Sequence, residues 1–439
     1  MTRHSVLLFL GYFLLGLALA WPALNYPWFI DDLHLVRIYS PQELANVWHQ
    51  NWEPLNVETP AYRPLNVWFN HARSLVLGEQ RVLHRLMNIA LAALFLAALY
   101  QLIARVFGLT LHQAFWAGVL ALCAQNTWFH LVWITEGVRI FGHLLAILGM
   151  HLLLGGKGQP AKPGLFLAGL IALIAAPLIR EEMLAWYPIA AGCMFFKREN
   201  FKRIRIAVIV FGLAGALILG AREMVIPETD LWPDGSGWTS LFYLAWLPFG
   251  NLLLPLLSKS WVLMWGVLIL LTFRCSALEG KKRLSALLLA VLCLTMPGLI
   301  DSRVTHLLPA LSIVAVIQVL VIEALSGRLP VLKKGGFLLL IIGLVSVSAV
   351  RHRQAQKAMH PLSSSNLLFA VEFFCDKRLH IPPARRAELD RRFESLGMYD
   401  CRLGDSIINQ LREEALRLNR RHPDSGQFFV PRVEFLDPL

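Results

Sequence analysis

Charge is scarce in this chain. Of its 439 residues only 16% are Asp, Glu, Lys or Arg, against 56% hydrophobic, and the mean hydropathy is +0.55. The apolar residues are gathered into runs, and roughly twenty in a row span a bilayer. A water-soluble fold is therefore excluded, and the composition is that of a polytopic membrane protein. Acidic residues are scarcer than basic ones, 29 against 41, leaving a formal charge of +12. Such an excess can mark nucleic-acid binding, but here Lys and Arg cluster in short loops between apolar runs. The positive-inside rule puts them there, so the partner is the membrane and not nucleic acid.

Cysteine is also sparse, and its six positions follow no metal-ligand spacing. Cys123, Cys193, Cys275 and Cys293 lie in or beside apolar runs, as inert core thiols do. Cys375 and Cys401 sit in the polar tail and could pair only in an oxidising compartment. No internal repeat is visible, and no small-residue cleavage site follows the first apolar run, residues 6–23. That run is accordingly read as an uncleaved first helix, and its short basic start puts the N-terminus inside.

What is present begins just after that helix, with Trp28-Phe29-Ile30-Asp31-Asp32-Leu33-His34. Two adjacent carboxylates at the water edge of a bilayer are costly to place and mark a functional site by default. The stretch 25–80 is rich in Trp, Asn and Pro and carries Tyr62-Arg63-Pro64-Leu65. It reads as an extracytoplasmic loop of short helices lying on the bilayer. The next span, 82–104, opens with His84 and Asn88 four apart on one face, either an interfacial polar face or part of a site. Glu136 and Arg139, three apart at the start of a later span, fit either a local ion pair or a site on the same side as Asp31.

The run 165–196 is interrupted by Arg180-Glu181-Glu182. Three charges cannot sit in hydrocarbon, so it reads as two short spans whose junction dips toward a polar cavity, and interrupted spans point to a site. Lys197 to Arg205 supplies the strongest inside signal, and 222–258 is a second outer loop whose 241–257 portion is re-entrant or interfacial. Later spans are expected near 261–273, 284–296, 307–325 and 337–350, with Asp301, Arg303 and His306 on the outer face. The total is about eleven transmembrane helices. Residues 351–439 are expected to form a small soluble helical domain outside.

Carboxylates and arginines on one face of a bundle suit a substrate that is part lipid and part phosphate or sugar. A paired carboxylate accepts a proton from a hydroxyl, and a guanidinium stabilises a leaving phosphate. The order of motifs resembles the GT-C superfamily of membrane glycosyltransferases, in particular the protein O-mannosyltransferase branch with its TMTC proteins. The resemblance rests on Asp31-Asp32, on Tyr62 to Leu65, on His84 to Asn88, on Trp133 to Arg139, on Arg180-Glu181 and on Ser302-Arg303 to Pro309. It covers roughly residues 1–325. Gly137-Val138-Arg139 has one residue more between Gly and Arg than the family pattern, and Ser302 replaces an acid.

The resemblance implies a GT-C-type transmembrane domain over 1–350. It implies inverting transfer of a sugar from a polyprenyl-phosphate donor, undecaprenyl phosphate in a bacterial inner membrane, to an acceptor at the periplasmic face. Asp31 is then the general base and Asp32 its orienting partner, in roles that adjacent positions could exchange. Arg63, Arg139, Arg180 and Arg303 are candidates for the lipid phosphate, with Tyr62, His84, Glu136, Glu181 and His306 as further site candidates. No cofactor is required, and His34, His84 and His306 make no ligand set for a divalent metal. A lipid or solute transporter, such as a flippase with a charged outer cavity, is the alternative from another class. A catalytically inactive scaffold is a third.

Overall fold

A computed structural model of the chain describes residues 3–25, 36–49, 62–78, 80–124, 127–155, 161–197, 199–225 and 308–328, with helical fragments between 338 and 350. The described residues are all-helical, with no strand among them. Asp31, Asp32, His34, Asp301, Arg303, His306, the loop from 226 to 258 and the tail from 351 lie outside them.

Helix α1 (Arg3–Ala20) runs into a short 3-10 turn. The following polar stretch holds α2 (Pro41–Asn46) and α3 (Pro64–Leu77). Helix α4 (Arg81–Phe107) returns, α5 (Leu111–Cys123) comes back, and the short α6 (Thr127–Val132) turns into α7 (Glu136–Leu153). Then follow α8 (Pro163–Ile179), a 3-10 turn at Glu181–Ala185, α9 (Trp186–Phe196), α10 (Phe201–Val225) and α11 (Leu308–Arg328). Among the described residues four helices, α1 with its 3-10 extension, α4, α7 and α10, are long and apolar enough to cross a membrane.

Local chemistry explains these boundaries. Ser40 and Thr110 form capping boxes with Glu43 and Gln113, satisfying the free amides at the starts of α2 and α5. Pro64 opens α3 at its first position, where a missing N–H costs nothing. Pro177 lies inside α8, and Arg180 is extended (φ −156°, ψ 129°), so the apolar run ends two residues after the proline. Helices of 17 and 11 residues reach about 26 and 16 Å at 1.5 Å per residue. Neither crosses a hydrocarbon core of about 30 Å unless the bilayer thins around it, and the charged junction between them sits at one end of the helices.

The core is continuous through α1, α4, α5, α7, α8, α9 and α11, with Tyr12, Phe95, Leu120, Ile147, Leu173, Trp186 and Val316 buried. Its tightest contact joins α7 to α8. A Cβ on Gly169 would stand 2.7 Å from the Gly149 carbonyl oxygen, so only glycine permits this approach. In lipid, where no water is released between helices, such close backbone packing is a main source of association. Conversely, Leu14, Leu167, Leu213 and Leu217 are each more than half exposed, an apolar outer surface suited to hydrocarbon.

Helix α3 is inside out relative to a helix on a water-soluble core. Asn66, Asn70, Arg73 and Ser74 are buried, whereas Trp68, Leu75 and Val76 face outward. A helix with its polar face on the protein and its apolar face free fits the membrane surface.

Candidate functional site

The site is assembled from three breaks in the helices. The first precedes α7. Arg73 donates from Nη1 to the Ile134 carbonyl (2.7 Å) and from Nη2 to the His84 carbonyl (2.7 Å) and Asn88 Oδ1 (2.8 Å). Asn88 Nδ2 donates to the Trp133 carbonyl (2.6 Å), and Arg85 donates to the carbonyls of Val132 (2.9 Å) and Leu24 (2.8 Å). Carbonyls left open where α6 ends are thus satisfied by three fully or nearly fully buried side chains. The turn 133–135 is fixed, and with it the start of α7. Gly137 is required there, because a Cβ would collide with the Asn88 side chain.

His84 belongs to this clamp. Its Nε2 lies 2.8 Å from the Gly78 carbonyl, and its own carbonyl receives Arg73. The His84–Asn88 face therefore has a structural task in holding the turn.

The second break is Arg180 to Ala185, and the third is the Tyr62-Arg63 approach to α3. Together with α7 they form one buried ionic cluster. Glu136 Oε2 lies 2.9 Å from Arg139 Nη1 and 3.2 Å from His130 Nδ1. Arg139 Nε lies 2.9 Å from Glu182 Oε1, and Arg180 Nε lies 3.4 Å from Glu182 Oε2. Glu181 accepts from the Tyr62 backbone N–H at 2.6 Å, is 3.4 Å from Arg222 Nε and 3.9 Å from Arg63 Nη2. The Tyr62 hydroxyl donates to the Trp48 carbonyl (3.2 Å), which ties the stretch after α2 to the same place.

The structure thus brings together Tyr62, Arg63, Glu136, Arg139, Arg180 and Glu181. Three members were not singled out from sequence: His130, His143 and Trp186. A signal existed for His143, which stands seven residues after Glu136 and four after Arg139, on the same helical face. Glu182 was read from sequence as part of the charged interruption that points to a site, and Arg222 only as the start of the second outer loop; folding supplies their partners.

The His143–Trp186 pair fixes a tautomer. Indole N–H only donates, so the 2.9 Å contact from Trp186 Nε1 makes His143 Nδ1 the acceptor. The neutral ring then carries its proton on Nε2, which points to Glu182 Oε1 at 4.0 Å. One wall of the cluster is therefore a neutral donor, with Phe95 packed against it at a ring separation of 6.0 Å.

Among the described residues, four guanidinium groups (Arg63, Arg139, Arg180, Arg222) and three enclosed carboxylates (Glu136, Glu181, Glu182) meet here, while Glu223, paired to Arg222 at 2.9 Å, stands half exposed at the edge. Burial, then the neighbouring Arg180 cation, draws Arg63 down to about 10, against the pull of Glu181 and Glu182. Arg63 still carries its charge at neutral pH. His130 is held below the usual histidine range, first by burial, and Glu136 only partly offsets this. The deep side, at Glu182 and Arg139, is 7% and 2% exposed, whereas Arg63 and Glu181 are 20% and 19% exposed. Arg63 and Glu181 thus form the more exposed side of the cluster. No metal-holding group of His, Cys, Asp and Glu occurs among the described residues.

No family model matches the chain, and neither the curated proteins nor the solved structures contain a match.

Proposed function

We propose that the chain is a membrane glycosyltransferase of the GT-C type, with a bundle of about eleven transmembrane helices, which moves a sugar from a polyprenyl-phosphate carrier to a hydroxyl acceptor. The observation that carries this reading is the arginine-rich cluster at one end of apolar helices. Arg63 and Arg180 repel one another within it, and its more exposed side is at Arg63. A buried site that gathers several guanidinium groups suits an anion with several oxygens, and Arg recognises phosphate through two parallel N–H donors. The surrounding apolar surface suits the polyprenyl tail.

In this reaction Asp31 takes the proton of the acceptor hydroxyl, with Asp32 beside it. The acceptor oxygen bonds to the anomeric carbon as the bond from that carbon to the phosphate oxygen breaks, with inversion. Polyprenyl phosphate leaves with the electron pair, and Arg63, Arg180 and Arg139 stabilise the charge that develops on it. Arg303 is assigned to the same phosphate. Glu136, Glu181 and Glu182 hold the arginines in place, and the chemistry runs on the periplasmic side of a bacterial inner membrane. The residues 351–439 then lie in the periplasm.

The test uses purified protein in nanodiscs with a panel of radiolabelled polyprenyl-phosphate sugars and cell-envelope extract as the acceptor source. Release of polyprenyl phosphate by the natural chain, lost in Asp31→Asn or Asp32→Asn while lipid binding persists, supports transfer and identifies the base. Absence of release with every donor, together with movement of labelled lipid across proteoliposomes, replaces the reading with a transporter.

A further inference from the structure

At the end of the helices opposite the ionic cluster, α1, α4 and α7 enclose a cleft of about 620 Å³. Glu136 and His151 are fifteen residues apart on α7, so the two sites are separated by about 22 Å along the helix. The cleft's walls are Leu94, Ala97, Ala98 and Leu148, and its polar groups, Ser5, Gln101 and His151, gather toward one mouth. The four apolar wall residues offer water no hydrogen-bond partners, so that part of the interior favours hydrocarbon.

The mouth is basic. Arg105 lies one helical turn beyond Gln101 and donates from Nη1 to the His151 carbonyl at 3.3 Å. Glu199 is within electrostatic reach of Arg203, Arg105 and Lys197, one carboxylate among three cations. Arg3 stands two residues before Ser5, and Lys202 and Arg205 lie at the same end. A cleft with hydrocarbon walls and a cationic mouth matches one class of molecule, an anionic amphiphile standing in the bilayer.

We propose that this cleft is a binding site for an anionic phospholipid, with one acyl chain between α1, α4 and α7 and the headgroup phosphate at Arg105, beside Ser5, Gln101 and His151. Cationic pockets between transmembrane helices bind anionic headgroups by the same electrostatics. The assignment does not rest on the sugar-transfer reading, because it uses none of the residues of the ionic cluster.

Full-length protein in neutral detergent is titrated with phosphatidylglycerol and with phosphatidylcholine, and bound lipid is counted by native mass spectrometry with Tm as a parallel readout. The natural chain is expected to bind phosphatidylglycerol at least five-fold more tightly than phosphatidylcholine. Arg105→Gln is expected to erase that preference. Ala97→Phe, which fills the cleft, is expected to lose the bound phosphatidylglycerol without lowering the lipid-free Tm. Should Ala97→Phe fail to fold, Leu148→Trp at the half-exposed wall takes its place. Equal binding of the two lipids by the natural chain, or natural binding of phosphatidylglycerol by either the Arg105 or the cleft-filling variant, overturns the site.

Discussion

Arg63 and Glu182 stand at opposite sides of the ionic cluster and differ in what their loss should do. Arg63 is at the more exposed side and touches Glu181 only loosely, at 3.9 Å. Arg63→Gln should leave the fold intact and weaken binding of polyprenyl phosphate by about 1.5–3 kcal/mol, roughly ten- to hundred-fold, as measured by titration in nanodiscs. Glu182 is enclosed between Arg139 and Arg180. Glu182→Gln leaves two buried cations short of a counter-charge and should cost about 3–5 kcal/mol of stability, seen as a lowered Tm. His130 gives a pH dependence of definite sign. Its folded-state value is below the unfolded one, so the unfolded chain binds the extra proton first. Its contribution to stability is complete above about pH 6.5 and is lost as the pH falls below that. Tm measured from pH 7.5 to 5 should therefore drop, and drop less in His130→Gln. Of these residues Arg63, Glu136, Arg139, Arg180 and Glu181 were legible in the sequence, because a charge beside an apolar run is conspicuous. His130, His143 and Trp186 were not, since each is compatible with a buried helix and only the fold brings it to Glu136 or Glu182. Asp31, Asp32, Arg303 and His306, expected to complete the site, lie outside the described residues.

Helix ends, more than helix interiors, position the cluster. The turn before α7 is held by Arg73, Arg85 and Asn88, and the junction after α8 follows Pro177. Apolar length and charged interruptions made α1, α4, the start of α7 and the α8–α9 junction readable from sequence to within a few residues. The clamp was not readable, because its donors come from α3 and α4 while the carbonyls they hold in the turn before α7 lie 45 to 61 residues further on. Two substitutions separate packing from clamping. Gly169→Leu forces α8 off α7 and should destabilise by about 1–3 kcal/mol, measured as Tm, with lipid-phosphate binding retained once folded. Gly137→Ala, directed at Asn88, should disturb the α7 start and reduce phosphate binding even at temperatures where the helices remain folded.

At the scale of the molecule, chemistry is segregated by end: arginines and glutamates at one, Lys197, Lys202, Arg203 and Arg205 at the other. In a chain with its six native cysteines replaced, a cysteine introduced at Gln42 should react with an impermeant maleimide added outside cells, and one introduced at Lys202 only after permeabilisation. The reverse pattern would place the cluster on the inner side. The segregation also bears on how the chain enters its membrane. α8 and α9 are short, and the tip joining them carries Arg180, Glu181 and Glu182. Such a hairpin crosses the lipid at low cost only when Arg139 is already in position to receive Glu182. Biogenesis is thereby ordered, with α7 first and the hairpin docking onto it. A lesion at Arg139 would then surface as a chain discarded by quality control before it ever meets a substrate.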